Sequence, residues 1–236
     1  MTKRVCWVTG ASTGIGFETA KVFAKAGYIV YATARRKSRL VKLVNELKFA
    51  GHEAYAIVCN IQSERSVFST KKRIIEKSGA IDILVNNAGV TIFKSLLDTK
   101  SPEFDNIMDT NLRGSYLAIK SVLPGMVKRK KGHIINVLST AANSVFEESA
   151  VYSGSKAGLL AMSNVLRAEV RKYNIKVTNI LPGNVDTPMW DAKIRNRYKN
   201  RMMSAREIAD IILETAEQPK RVVMEDVVIR PIKGDL

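Results

Sequence analysis

The sequence predicts an α/β fold: a doubly wound parallel sheet of about seven strands with helices on both faces. Short runs of β-branched and apolar residues alternate with longer stretches whose apolar residues recur every three or four positions. The short runs are apolar almost throughout, as expected for strands that helices cover on both faces. A glycine-rich turn directly follows the first run, at the sheet edge where such folds bind ligands.

Each strand and helix is predicted from its own stretch of sequence. The predicted strands are Val5–Thr9, Tyr28–Ala34, Glu53–Cys59, Ile83–Val85, His133–Leu138, Lys176–Leu181 and Val222–Ile229. The clearest helical patterns between them are Ile15–Ala26, Ser63–Lys77, Phe104–Val127 and Tyr152–Tyr173. Because ligands bind beyond the carboxyl ends of parallel strands, catalytic groups are expected just after a strand or on a helix that begins there.

Length and composition favour one domain over residues 1–236, with 46% hydrophobic and 25% charged residues and no linker or internal repeat. No stretch approaches the ~18 apolar residues of a membrane span, and no export signal is evident, so we expect a cytoplasmic protein without a membrane partner. Cys6 and Cys59 are expected to be reduced core thiols. His52 and His133 lie far apart in the sequence, so no metal site is predicted.

The first predicted strand runs into a glycine-rich turn and then into a helix. Glycines allow the backbone to approach a phosphate closely, and the helix N-terminus offers free N–H groups and a positive dipole end. The spacing differs from the general G-x-G-x-x-G pattern, but the position after the first strand favours pyrophosphate binding. The residues assigned to this contact are Gly10, Ser12, Thr13, Gly14, Ile15 and Gly16.

The end of the second strand favours NADP(H) as the cofactor. A cofactor without a 2′-phosphate usually meets an acidic residue there. Ala34 stands at this position, and Arg35 and Arg36 follow it. Guanidinium groups bind phosphate through paired hydrogen bonds, so these two arginines are predicted to bind the 2′-phosphate.

The motifs taken together resemble the short-chain dehydrogenase/reductase family, which has a Rossmann-type fold, over nearly the whole chain. The motifs that carry the resemblance are Thr9-Gly-Ala-Ser-Thr-Gly-Ile-Gly16, Asn86-Asn87-Ala88-Gly89, Asn111, Ser139, Tyr152-x-x-x-Lys156 and Pro182-Gly183. The resemblance implies an oxidoreductase that moves a hydride between nicotinamide and a hydroxyl or carbonyl carbon. It also implies that Asn111 holds a water that links Lys156 to solvent.

Tyr152 and Lys156 are four residues apart in a helical stretch, so both side chains lie on one helix face. A phenol with a pKa of about 10 is a poor base at neutral pH, and a nearby ammonium lowers that pKa. Bringing it to about 7 takes roughly 4 kcal/mol, which Lys156 and the positive ring of the oxidised cofactor are expected to supply. Tyr152 would carry the proton, and Ser139, at a strand end, would hold the substrate oxygen.

Further cofactor contacts are expected after the third, fourth and sixth strands. By resemblance, residues beside the ribose and nicotinamide are Asn87, Ala88, Gly89, Tyr152, Lys156, Pro182, Gly183, Val185 and Thr187. Asn60 and Ile61 follow the third strand, where the family usually carries an aspartate that hydrogen-bonds adenine. Asn60 both accepts and donates hydrogen bonds, so this departure leaves the detail of the adenine contact open.

The segment 187–205 is the predicted substrate loop. Its cations are Lys193, Arg195, Arg197, Lys199 and Arg201, against the single acid Asp191. A cationic lid favours an anionic substrate, and a weaker resemblance to NADP-dependent 3-hydroxy-acid dehydrogenases points to a small 3-hydroxy acid. The alternative is a 3-oxoacyl-carrier-protein reductase, for which the basic runs 128–131 and 171–172 would supply a docking patch.

The net charge of +16 leaves a third hypothesis open: a non-catalytic nucleic-acid-binding or redox-sensing protein on the same fold. The basic runs lack interleaved aromatic residues, so no nucleic-acid partner is expected. The long helical patterns Phe104–Val127 and Tyr152–Tyr173 carry more apolar residues than one sheet face needs. Because family members pair these helices, a homotetramer is expected, with a dimer as the second possibility.

Overall fold

The computed structural model describes residues 3–235, in which strands alternate with helices. The strands are β1 (Val5–Thr9), β2 (Ile29–Ala34), β3 (Ala54–Val58), β4 (Ile83–Asn86), β5 (Gly132–Val137), β6 (Ile175–Pro182), β7 (Val185–Asp186), β8 (Met203–Ser204) and β9 (Asp226–Ile229). The α-helices are α1 (Gly14–Lys25), α2 (Lys37–Phe49), α3 (Glu64–Ser78), α4 (Ser101–Met108), α5 (Gly114–Arg129), α6 (Ala150–Val170), α7 (Ala192–Tyr198) and α8 (Ala205–Glu217).

Seven strands form one parallel sheet in the order β3-β2-β1-β4-β5-β6-β9, which confirms the predicted fold class. The strand order runs outward in both directions from the neighbours β1 and β4. A crevice therefore opens beyond their carboxyl ends, where the loops diverge to opposite sides. The short strands β7 and β8 form a separate pair beside this edge.

Alternating side chains of the strands build one apolar core on each face of the sheet. On β1, Cys6 and Val8 pack with α1, α2 and α8. Val5 and Trp7 point to the other face and pack with α3, α5 and α6. This alternation follows from the two-residue period of a strand, and it explains why the run is apolar throughout. Cys6 and Cys59 are both buried and free.

Two predicted elements differ most from the structure, and one helix was not predicted individually. The helical pattern Phe104–Val127 is not one α-helix, because a π-helical turn at Asp109–Arg113 separates α4 from α5. The predicted strand Val222–Ile229 begins only at Asp226, because the backbone N–H of Val222 closes a turn onto the carbonyl of Pro219. Helix α2 was not singled out from the sequence, although Leu40, Leu43, Val44 and Leu47 recur every three or four residues along it.

A row of buried amide side chains crosses the sheet next to α6. Asn86, Asn136 and Asn179 are paired across adjacent strands, with side-chain hydrogen bonds of 2.9 Å and 3.3 Å. Asn179 donates a hydrogen bond of 2.8 Å to Asp226 Oδ1 on β9. The same oxygen accepts a hydrogen bond of 2.8 Å from the guanidinium of Arg167 on α6. The row therefore ties β4, β5, β6, β9 and α6 together.

No helix within residues 3–235 is both long enough and apolar enough to cross a membrane.

Candidate active site

A cavity of about 540 Å³ opens along the carboxyl edge of the main sheet. Segments that follow β1, β2, β3, β4, β5 and β6 all contribute to its walls, as the topology requires. The predicted site residues that line it are Gly10, Ser12, Thr13, Gly14, Ile15, Arg35, Arg36, Asn60, Ile61, Asn87, Ala88, Gly89, Ser139, Tyr152, Lys156, Pro182, Gly183, Val185 and Thr187. Gly16 and Asn111 lie behind the cavity wall.

Tyr152 and Lys156 lie one turn apart near the start of α6, and both line the cavity. Their exposed fractions are 9% and 4%, so both side chains are largely shielded from water. The Lys156 ammonium donates a hydrogen bond of 2.8 Å to the carbonyl oxygen of Val137, at the end of β5. Its nitrogen also lies 5.7 Å from the centroid of the Tyr152 ring. The ammonium therefore lies beside the ring and is held by the sheet.

Burial raises the pKa of the Tyr152 phenol, and a hydrogen bond with the Ser139 hydroxyl opposes this increase. Burial also lowers the pKa of Lys156 to about 8. The ammonium of Lys156 is bound to the Val137 carbonyl, and its predicted lowering of the Tyr152 pKa stays a prediction. The Ser139 hydrogen bond favours the phenolate, but burial has the larger effect on the pKa, so the phenol is protonated at neutral pH.

Ser139 stands at the end of β5, where it caps the short 3-10 turn Thr140–Ala142. Its Oγ accepts a hydrogen bond of 3.1 Å from the backbone N–H of Ala141. This contact fixes the oxygen and leaves its own proton available for donation. The hydroxyl can therefore donate to the Tyr152 oxygen or to an oxygen of a bound molecule.

Asn111 lies in the π-helical turn and is 1% exposed. Its Oδ1 accepts from the backbone N–H of Val90 at 2.8 Å, and its Nδ2 donates to the Val90 carbonyl at 2.9 Å and to Ser155 Oγ at 3.0 Å. The side chain thus ties the loop after β4 to α6. Its predicted water-holding role stays a prediction, since the amide hydrogens are already used within the protein.

The glycine-rich turn is held against the loop after β4 by close backbone packing. Gly10 has a φ of +67°, and a Cβ there would lie 2.7 Å from the Cα of Ala88. A Cβ at Gly16 would overlap the side-chain nitrogen of Asn87. That nitrogen donates to the carbonyls of Thr9 and Gly10 at 3.0 Å and 3.3 Å. The turn therefore keeps the backbone close to the cavity, as a phosphate-binding turn requires.

Three arginines surround the end of the cavity next to β2. Arg35 and Arg36 precede α2, and Arg39 lies in its first turn; all three are exposed and line the cavity. Within residues 3–235, none of them forms an ion pair with a carboxylate. Unpaired guanidinium groups beside a helix N-terminus fit a phosphate monoester.

The predicted adenine contact is partly occupied by contacts within the protein. The Oδ1 of Asn60 accepts from the backbone N–H of Gln62 at 3.2 Å, which leaves the amide hydrogens available to a ligand. Ile61 packs against α5, where a Cβ at Gly114 would lie 2.8 Å from its side chain. Asn60 is therefore the more suitable of the two for a polar contact.

Stacked aromatic side chains also line the cavity. The rings of Phe93 and Trp190 stack with centroids 5.1 Å apart and planes inclined by 15°. Phe146 also lines the cavity. Two other lining residues, Thr91 and Asn184, each have a fully buried side-chain atom, Oγ1 and Nδ2, without a hydrogen-bond partner among residues 3–235.

A family model described as short chain dehydrogenase matches residues 4–198. The chain belongs to the short-chain dehydrogenase family. A sepiapterin reductase of Chlorobaculum tepidum is 33% identical, with 99% of this chain and 98% of that protein covered. A metagenomic short-chain oxidoreductase in complex with NADP has a TM-score of 0.86 at 30% identity, covering 97% of this chain and 96% of that chain. The closed form of a serine dehydrogenase complexed with NADP+ has a TM-score of 0.92 at 28% identity, covering 98% and 96%.

The basic residues of the predicted substrate loop do not line the cavity of this short-chain dehydrogenase in the described structure. Arg195 pairs with Asp186, and Arg201 donates to the carbonyl of Asp235 at 3.3 Å. Met189 and Trp190 are the loop residues that reach the cavity, beside Thr187 and Pro188. The predicted cationic lid over the reaction site is therefore corrected to an apolar one.

The basic runs proposed for carrier-protein docking lie on the wrong side of this dehydrogenase. Residues 128–131 end α5 and lead into β5, and residues 171–172 follow α6 and lead into β6. Both runs therefore lie at the amino edge of the parallel sheet, whereas the cavity opens at the carboxyl edge. A carrier protein bound there would not face the cavity.

Sequence reasoning missed the third arginine, the aromatic stack and the unpartnered amide. Arg39 was within reach, since it lies one turn into the helix that Arg36 introduces. The stacking of Phe93 on Trp190 joins two loops that are distant in the sequence, so no local pattern indicated it.

Proposed function

We propose that this short-chain dehydrogenase is an NADP(H)-dependent oxidoreductase that interconverts a hydroxyl and a carbonyl group, with Tyr152 as the proton carrier. The observation that carries the proposal is the meeting of Tyr152, Ser139 and Lys156 in one shielded corner of the cavity. A phenol, a hydroxyl and an ammonium at one point suit proton transfer to an oxygen that gains negative charge.

The residues that would hold NADP(H) fit its parts. The glycine-rich turn suits the pyrophosphate, and the three unpaired arginines suit the 2′-phosphate. Two of the solved structures similar to this chain contain NADP. When bound, this cofactor supplies or accepts the hydride.

In the direction of reduction, the chain's own residues supply the proton and stabilise the developing charge. Tyr152 is protonated at neutral pH because burial raises its pKa, so its phenol can donate a proton to the carbonyl oxygen. The Ser139 hydroxyl donates a hydrogen bond to the same oxygen as charge develops there. Lys156, cationic below about pH 8, stabilises the phenolate left behind.

The proposal is tested by Tyr152→Phe, which removes the transferable proton and keeps the ring. We expect kcat for NADPH-dependent carbonyl reduction to fall by roughly 10²–10⁴-fold, with the Kd for NADPH unchanged in a fluorescence titration. Tyr173→Phe, located beyond the far end of α6, is the matched control and should keep wild-type turnover. Wild-type turnover in Tyr152→Phe would remove the assigned role.

A small 3-hydroxy acid is the second candidate for the substrate. It is favoured by the structural similarity to a serine dehydrogenase, because serine is itself a 3-hydroxy acid. Apart from the three arginines next to β2, Lys156 is the one cation among the described residues that line the cavity, so it is the group available to the carboxylate of such an acid. A screen of 3-hydroxy acids, oxoacyl thioesters and ketones with NADP(H) decides between this candidate, the carrier-protein reductase and an uncharged substrate.

We further propose a cytoplasmic homotetramer. Phe104 on α4, Tyr116 on α5 and Val165 on α6 are exposed by 45%, 42% and 62%. Apolar groups on the helices expected to pair support an interface there. Light scattering should give four chains per particle, and a monomer would contradict the proposal.

A further inference from the structure

The loop after β4 is attached to α6 at two points. Val90 is held by Asn111, whose Nδ2 also donates to Ser155 Oγ on α6 at 3.0 Å. Further along the loop, the backbone N–H of Lys94 donates to the carbonyl of Glu148, two residues before α6 begins, at 2.7 Å. The stretch of loop between these two attachments therefore runs beside the first turn of α6.

Two aromatic residues are held beside the proton carrier by these connections. Phe93 lies within that stretch of loop and Tyr152 lies in the first turn of α6, and both line the cavity. Phe146 also lines the cavity, and its carbonyl accepts a hydrogen bond of 2.7 Å from the hydroxyl of Ser149, the residue that precedes α6. The cavity wall next to the start of α6 is therefore rich in aromatic rings.

Trp190 reaches the same wall from the loop after β7. That loop starts against the glycine-rich turn, because a Cβ at Gly14 would lie 3.2 Å from Thr187 Cγ2. The backbone N–H of Trp190 donates to the Thr187 carbonyl at 3.2 Å, and its ring stacks on Phe93 with centroids 5.1 Å apart. The loop therefore spans the cavity from the glycine-rich turn to the wall beside α6.

The surface that the stack presents to the cavity is apolar and aromatic. Phe93 is 41% exposed although Trp190 covers part of its ring, so the stack leaves aromatic surface open. Pro188 and Met189 line the cavity next to Trp190, and no acid is among the described lining residues. Aromatic rings pack favourably on further rings, whereas a carboxylate packed against this wall would lose its hydration without gaining a partner there.

We propose that Phe93 and Trp190 are specificity-determining residues, whose stacked rings together bind the aromatic ring of an aryl ketone while its carbonyl oxygen faces Tyr152 and Ser139. This inference rests on the proposed function, since it assigns the substrate class of the same site.

The test compares acetophenone with cyclohexyl methyl ketone, which carry the same acetyl group on a flat aromatic ring and on a puckered saturated ring. Their Kd values for the NADP+ complex are measured by NMR titration, which suits weak binding. For the wild-type protein, we expect acetophenone to bind about tenfold more tightly than the saturated ketone. In Phe93→Leu and in Trp190→Leu, which keep an apolar wall and remove one ring of the stack, this preference should fall to about twofold or less.

Three further variants keep the result interpretable. Phe93→Tyr keeps the ring and should keep the preference for acetophenone. The double variant Phe93→Leu/Trp190→Leu should lose no more of that preference than either single variant, because the two rings act as one stack. Phe68→Leu, at a position on α3 that is 37% exposed and outside the cavity lining, is the matched control and should behave as wild type.

An equal preference in the wild-type protein, Phe93→Leu and Trp190→Leu would overturn the inference. So would a weakened affinity for NADP+ with unchanged ketone preference, because the stack would then serve the cofactor. If other carbonyl compounds are reduced but acetophenone does not bind, the substrate class is wrong and the proposed function stands. If no carbonyl compound is reduced with NADPH, the proposed function fails, and the NMR titration still decides whether the stack binds an aromatic ring.

Discussion

Lys156 shows how much a single buried charge can cost a protein and what it contributes to chemistry. The ammonium is shielded from water, and burial alone lowers its pKa from 10.5 to about 8. Its one strong contact is the Val137 carbonyl, a neutral acceptor that offsets only part of the lost hydration. The arrangement is unfavourable for folding, but it places a cation beside the phenol.

We expect Lys156→Met to be more stable than the wild type and nearly inactive. The shift in pKa corresponds to at most about 3 kcal/mol of destabilisation at neutral pH, and the unpaired Val137 carbonyl reduces the gain. The unfolded lysine stays protonated to about pH 10.4, so the wild-type protein gains stability as pH rises from 8 towards 10. The difference in unfolding free energy between variant and wild type, measured in urea, should therefore shrink over that range.

The exposed Lys128→Met serves as the control for this experiment, and it should leave both stability and its pH dependence unchanged. A variant that is less stable than the wild type at pH 7 would show that the Val137 contact outweighs burial of the charge.

At the scale of elements, the start of α2 brings three positive charges to the cavity, of which only two were predicted from the sequence. Arg35 and Arg36 lead into the helix, and Arg39 reaches the same cavity from its first turn. The helix N-terminus adds the positive end of its dipole to theirs. Three cations and a dipole at one end of the cavity suit the dianionic phosphate that we propose they bind.

Arg35→Ala and Arg39→Ala are each expected to weaken NADPH binding by roughly tenfold or more, because a hydrogen-bonded charge pair is lost. NADH lacks the 2′-phosphate, so its Kd should change little. Lys42→Ala, on the same helix but outside the cavity lining, is the control. Equal losses for NADPH and NADH in a fluorescence titration would contradict the assignment of these arginines.

Elements were predicted well where the local pattern is strong and less well where tertiary contacts decide. The run at β1 is apolar on both faces, so its strand was evident from sequence. Asn111 was placed in a helix correctly, but the π-helical turn around it depends on its contacts with Val90 and Ser155. The predicted strand Val222–Ile229 was longer than β9. The backbone N–H of Val222 donates to the Pro219 carbonyl and forms a turn there, and the sequence pattern did not indicate this turn.

At the scale of the whole molecule, stability in acid depends on a buried histidine. His133 lies on β5, where burial lowers its pKa to about 3, and its Nε2 is 2.8 Å from Thr178 Oγ1. The unfolded histidine takes up a proton below about pH 6.5. The stability that comes from keeping the ring neutral is therefore present above pH 6.5 and lost as pH falls towards 3.

Between pH 7 and pH 5, the wild-type protein should lose about 2 kcal/mol of unfolding free energy through this one group. His133→Phe should remove that part of the pH dependence, although its own stability is lower. His52→Gln, at a half-buried position, should keep the wild-type slope. Urea unfolding at several pH values provides the measurement, and an unchanged slope in His133→Phe would contradict the role of the ring.

The catalytic corner was predictable as a set of residues but not as an electrostatic arrangement. Tyr152, Ser139 and Lys156 were identified as motifs of the family that the sequence resembles, and the structure brings them into one cavity. The hydrogen bond from Lys156 to a carbonyl of β5 depends on the fold, so no sequence pattern reveals it. The stack of Phe93 on Trp190 could not be predicted for a related reason, because it forms where two loops distant in the sequence meet.

The row of amides that reaches Asp226 has a consequence for how the sheet edge and α6 depend on one another. Helix α6, which carries Tyr152 and Lys156, is tied to the edge strand β9 through the pair between Arg167 and Asp226. The same carboxylate accepts from Asn179, so detachment of β9 would break both contacts at once. Local opening of this edge should therefore remove the outermost anchor of α6.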